Sequence, residues 1–80
     1  MKAKDLVAAI KHKNGEIWVG FRHALCHENA RTDLGFEKYL YEDFTDGFQH
    51  KDGAFLNRAE AAGALGFTGG YLKSEDLPYL

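Results

Sequence analysis

Between Leu6 and Arg22 apolar and polar residues alternate on either side of Asn14-Gly15. A period of two marks strands with one buried face, and Asn-Gly is strongly preferred in two-residue type I′ turns. The pattern predicts a β-hairpin over residues 6–22 whose register the turn sets. In that register Lys13 lies opposite Glu16, His12 opposite Ile17, Ile10 opposite Val19 and Ala8 opposite Phe21. Ala8, Ile10, Ile17, Val19 and Phe21 then share the core face. Lys11 lies opposite Trp18 on the other face, where an ammonium over an indole is favourable.

The alternation stops at His23, and the residues to about Arg31 suit a short helix with Gly35 as its stop. Phe36, Tyr39, Leu40 and Phe44 fall on one helical stripe, yet the same residue types suit a strand, and both readings stay open. A second hairpin is expected from Phe48 to Leu56 around Asp52-Gly53, with His50 facing Phe55. Asn57 and Glu60 have the spacing of a capping box for an Ala-rich helix, Arg58 to Leu65, with Gly66 at its end. Gly63 inside that helix costs about 1 kcal/mol relative to alanine, which close packing on the sheet would explain. Beyond it, Gly69-Gly70 marks a loop, Tyr71-Leu72 an edge strand, and Ser74 the cap of a turn that Pro78 ends. The expected fold is α+β: a small antiparallel sheet built from two hairpins, with one or two short helices on one face. No internal repeat, linker or low-complexity segment is expected.

Length and composition narrow the class. Eighty residues make one domain, 1–80, and 45% apolar content suits a folded chain. The single cysteine, Cys26, rules out an internal disulfide and favours a reducing compartment. No apolar run reaches the ~18 residues of a membrane span, and Leu6–Ile10 is too short for a secretory segment. A cytoplasmic protein is expected. The net charge of −2 lacks the basic balance of a protein that binds nucleic acid directly. Charge is also unevenly placed: residues 1–31 carry six Lys/Arg against three Asp/Glu, and residues 32–80 carry four against nine.

Candidate chemistry is sparse. His23, Cys26 and His27 form an H-x-x-C-H cluster, but a structural zinc site needs four ligands and no second His/Cys pair exists. Cys26 reads better as a small core residue than as a nucleophile, because His27 points about 100° away from it on a helix. No P-loop, dinucleotide fingerprint, nucleophile elbow or HExxH motif occurs, so neither an enzyme, a metal nor a cofactor is expected. Arg22, His23 and Arg58, with Glu60, Glu75 and Asp76, form a candidate pocket for a nucleotide or another small anion. Tyr39, Tyr41, Glu42, Asp43, Asp46, Glu75 and Asp76 form a candidate partner-binding surface, in which carboxylates occupy a basic channel and aromatics anchor the contact.

Three stretches carry a resemblance. Gly20-Phe21-Arg22-His23 follows the first hairpin; Gly47-Phe48 runs through Asp52-Gly53, Phe55, Arg58, Glu60 and Ala61; Leu72-Lys73-Ser74-Glu75-Asp76-Leu77 closes the pattern. Together they resemble a family of small phage and prophage accessory proteins. Size, acidity and the lack of catalytic motifs are also similar to those of phage anti-CRISPR proteins. That likeness implies stoichiometric binding to a host CRISPR surveillance complex that blocks target-DNA binding, in the cytoplasm of an infected bacterium; the sequence leaves the oligomeric state open, with a monomer favoured. The alternative from another class is a small phage protein that sequesters or transforms a nucleotide or anion.

Overall fold

The computed structural model describes residues 3–66. The expected Tyr71-Leu72 strand, the Ser74 turn, and Glu75 and Asp76 lie outside the described residues. Strands β1 (Leu6–His12), β2 (Ile17–Gly20), β3 (Phe44–His50) and β4 (Phe55–Asn57) form one antiparallel sheet in the order β2-β1-β3-β4. Helix α1 (His23–Leu34) follows β2 and α2 (Arg58–Leu65) follows β4, and both cover the same face of the sheet. This is the α+β architecture expected from the two hairpins.

The registers differ from expectation. Ile10 pairs with Trp18, Ala9 with Val19, Lys11 with Ile17 and Ala8 with Gly20. The cause lies in the turn. His12 N–H donates to the Glu16 carbonyl and Gly15 N–H to the His12 carbonyl, which makes a three-residue loop in place of a two-residue one. A type I′ turn needs positive φ at both central residues, but only Gly15 has it, at +98°. Asn14 instead uses its side chain, whose Oδ1 accepts from Glu16 N–H at 2.8 Å. Because side chains alternate, a slip of one residue exchanges the faces of β2. Trp18 therefore packs inward against Ile10, and its indole N–H donates to Asp33 of α1 at 2.8 Å. Val19 and Phe21, expected in the core, are 45% and 73% exposed.

The second turn repeats the first. His50 N–H donates to the Ala54 carbonyl and Gly53, at φ +98°, donates to the His50 carbonyl, so His50 faces Ala54 and Gln49 faces Phe55. Asp52 Oδ1 accepts from Ala54 N–H as Asn14 does from Glu16 N–H, and the N–H of Asn14 and of Asp52 each reach the Nδ1 of the preceding histidine. The recurrence extends to the whole unit. Moving the pairs Ala9↔Val19, Ile10↔Trp18 and Lys11↔Ile17 by 38 residues gives Gly47↔Asn57, Phe48↔Leu56 and Gln49↔Phe55, which are the β3–β4 pairs. Lys13 N–H donates to the Asp43 carbonyl and Lys51 N–H to that of Asp5, with Nζ–carboxylate distances of 3.5 and 3.3 Å to the same two aspartates. The chain is thus two ββα halves related by a pseudo-two-fold axis through the Ala9↔Gly47 pair. This corrects the expectation of no internal repeat. In sequence the likeness is clearest in His12-Lys13-Asn14-Gly15 and His50-Lys51-Asp52-Gly53, with Asp5 and Asp43 matching at the same spacing.

Other boundaries shift less. α1 continues to Leu34 before Gly35 ends it. Residues 36–44 resolve into neither a single helix nor a strand: Tyr41–Asp43 make a 3-10 turn and Phe44 opens β3, four residues before the expected hairpin start. α2 has the expected ends, with both hydrogen bonds of the Asn57–Glu60 capping box and Gly66 in the left-handed region. The core divides between the halves. Ala8, Ile10, Cys26 and Ala30 cluster under α1, and Leu6, Phe48, Ala61 and Ala62 under α2.

Gly63 contradicts the close-packing expectation, since a Cβ built there meets nothing within 4 Å. Gly63→Ala is therefore expected to stabilise the fold by up to about 1 kcal/mol, while Asn57→Ala costs about 1 kcal/mol through loss of the cap. Urea unfolding of the two variants, followed by circular dichroism, checks both signs.

Candidate functional site

The inward positions of β3 are Phe44, Asp46, Phe48 and His50, which pair with His12, Ile10, Ala8 and Leu6 of β1. Asp46 thus places a carboxylate on the helix-covered face beside fully buried Ile10. Such a charge needs partners, and both helices supply them. His27, one turn into α1, brings Nε2 to 2.7 Å from Asp46 Oδ1, and Arg58, the first residue of α2, brings Nη2 to 3.4 Å from Oδ2. His27 and Asp46 side chains are 12% and 19% exposed, so this pair is only weakly screened by water.

The network continues on both sides. His27 Nδ1 lies 2.8 Å from the Tyr39 hydroxyl, and Tyr41 stacks on the imidazole at 4.7 Å between ring centroids. His23, the first residue of α1, has Nε2 2.6 Å from the Gly47 carbonyl and Nδ1 3.3 Å from Arg58 Nη2. A carbonyl can only accept, so Nε2 carries the proton and Nδ1 accepts from the guanidinium, which makes His23 a neutral imidazole. Burial lowers its pKa below the ordinary histidine value, and the Arg58 charge acts in the same direction. Burial likewise raises the Tyr39 phenol. A depression of about 460 Å³ opens beside the network, lined by Tyr41, Phe44, Asp46, Asn57, Arg58 and Ala59.

Of the expected anion-pocket residues, His23 and Arg58 meet. The Arg22 guanidinium instead stacks on Phe21, 4.5 Å from its ring centroid, and Glu60 is bound to its own N-cap. The expected partner-binding residues separate into two groups. Tyr41 and Glu42 are exposed. Asp43 and Asp46 turn inward, Asp43 beside His12 and Lys13 and Asp46 as described, and Tyr39 is half-buried on His27. Cys26 is fully buried, with its thiol against the Ala8 carbonyl and its pKa raised to about 11 by burial, with the Asp46 charge adding to it. It is a core residue, as expected. Among the described residues no three His, Cys, Asp or Glu side chains converge to hold an ion, and no helix is long and apolar enough to cross a membrane.

Sequence reasoning missed the link from Tyr39 through His27 to Asp46. One signal was present: Asp46 sits between Phe44 and Phe48 at strand spacing, so two rings pointing inward oblige the carboxylate to point inward too.

The neutral imidazole gives a pH test. The His23 pKa is lowered on folding, so below its unfolded value of 6.5 the unfolded chain takes up a proton that the native state refuses. Stability is therefore expected to fall as pH drops from 7 through about 6. In His23→Gln this part of the slope is expected to disappear. Urea titrations of both proteins at several pH values measure it, and equal slopes would mean that His23 protonates without cost. No family model, curated protein or solved structure matches this chain.

Proposed function

We propose that the protein binds a small nucleotide-type ligand in the depression between Tyr41 and Arg58, and that it works by binding. The observation that supports this reading is the meeting, in one open cleft, of an exposed aromatic ring and a paired acid and base. Tyr41 is 63% exposed and braced from behind by His27. Across from it lie the Arg58 guanidinium, whose charge is held by Asp46 and His23, and the side-chain amide of Asn57. A planar heterocycle with a phosphate matches this set: the ring stacks on Tyr41 and the anion sits by Arg58.

Titration with adenosine and uridine 5′-monophosphates and with inorganic phosphate, followed by amide chemical shifts, tests the reading. Saturable shifts at Tyr41, Asn57 and Arg58 are expected with the nucleotides, and Tyr41→Ala is expected to weaken binding roughly tenfold, the usual scale of one stacked base. Absence of saturable shifts at millimolar nucleotide would overturn it.

A second reading draws on a different observation. Phe36, Leu40 and Tyr41 are 83%, 50% and 63% exposed next to Glu37 and Glu42, a run of apolar anchors with acidic neighbours. This corner supports the inhibitor reading, in which the protein occupies a basic surface of a CRISPR surveillance complex. Because Asp43 and Asp46 have internal partners, the variant suited to testing it is Tyr41→Ala with Glu37→Lys and Glu42→Lys. That variant is expected to lose inhibition of target-DNA binding by the complex, and full inhibition by it would exclude this surface.

A further inference from the structure

The face of the sheet away from the helices presents a surface that the cleft does not use. The observed register points Val7, Lys11, Ile17, Val19, Gln49 and Phe55 outward. Phe21, 73% exposed, lies beyond Val19 and extends the row Val7, Gln49, Phe55 towards the β2 edge. Phe55 lies across Gly47, where any Cβ would collide with its ring, and Lys11 Nζ sits 5.8 Å from the centre of that ring. At one end Lys4, Val7, Val19, Gln49 and Lys51 line a depression of about 430 Å³. Among the described residues no strand directs a carboxylate to this face, because Asp46, the one acidic residue of these four strands, points inward. Asp5 borders the depression and is held by Lys51 at 3.3 Å.

We propose that this outer face is a binding platform for a single-stranded nucleic acid. Its local charge is positive although the whole chain carries −2. An anionic occupant is the complementary one for this charge. Exposed Phe21, with Arg22 across one side of its ring, offers a stacking surface, and Lys4, Lys11 and Lys51 stand at this face for a backbone of phosphates. That combination suits bases on a strand better than carboxylates on a peptide, which have no ring to stack. A duplex hides its base faces and gains nothing from Phe21.

The test is fluorescence anisotropy of a labelled fifteen-base (about 15 nt) oligothymidylate, with oligouridylate, duplex DNA and a polyglutamate peptide as competitors. Binding is expected to weaken more than about tenfold between 50 and 200 mM salt if three phosphates are contacted. Phe21→Ala is expected to weaken it at least about fivefold, and Lys11→Glu about tenfold or more through charge reversal. Both residues are at the surface, and unchanged circular dichroism confirms the fold. Amide shifts on binding are expected at Val7, Lys11, Val19 and Gln49 and not at Tyr39 or His27, which separates this face from the cleft. Competition by oligouridylate is expected from the chemistry the two kinds of strand share. Absence of binding at low salt, indifference to both substitutions, shifts confined to the cleft, or equal competition by the duplex or the acidic peptide would each overturn the proposal.

Discussion

A carboxylate pointing into the centre of the inner face is the constraint around which the rest of the structure is arranged. Asp46 stands on β3 opposite Ile10, where a methyl group would be the simpler choice. Once present it needs hydrogen-bonding partners, and His27 on α1 and Arg58 at the start of α2 supply them. Satisfying it therefore brings both helices together over the middle of the sheet. It also orders the next partners, since Tyr39 and Tyr41 gather on His27 and His23 accepts from Arg58. Apart from the sheet itself, this chain of polar contacts is the main tie across the two small apolar clusters, one under each helix.

The pseudo-two-fold shows how the site departs from its surroundings. Ala8 occupies in the first half the place that Asp46 occupies in the second, as the registers require. Around Ala8 the surroundings are dry: Ile10, Cys26 and Ala30 close over it, and the cysteine is pushed towards its neutral form. Around Asp46 they are polar and open to a cleft. Two ββα units of one topology thus carry different interiors, one a packed core and the other a site. A symmetric scaffold accommodates this because each half keeps its own apolar cluster, so one position can be polar without dismantling the other. The helices follow the same asymmetry, twelve residues in α1 and eight in α2.

The sequence was most legible where local chemistry decides the outcome. The capping box at Asn57 and Glu60, the glycine at position 66, the two hairpins and the helix-on-sheet class all follow from neighbours a few residues apart. Register was less legible, because Asn-Gly and Asp-Gly each serve both a two-residue and a three-residue loop. The choice fell to side-chain acceptors: Asn14 and Asp52 bond the backbone two residues ahead and keep negative φ, leaving positive φ to glycine alone. That single residue of slip moved Trp18 inward and Val19 and Phe21 outward. The site was least legible, since its members come from four segments separated by up to 35 residues, as between His23 and Arg58. Carboxylates that look alike in the acidic half diverge here too, with Glu42 facing solvent while Asp43 and Asp46 face histidines.

The claim that Asp46 binds the two helices through one charge is tested most directly by a double-mutant cycle in unfolding free energy with Asp46→Ala and His27→Ala. A pair this close and this weakly hydrated should couple by about 1–3 kcal/mol, with the double variant less destabilised than the sum of the singles. The same cycle between His27 and Arg58, which both bind Asp46, should show coupling when Asp46 is present and lose it in the Asp46→Ala background. Additivity within about 0.5 kcal/mol in the first cycle would contradict the account, because the helices would then be held by their apolar clusters alone.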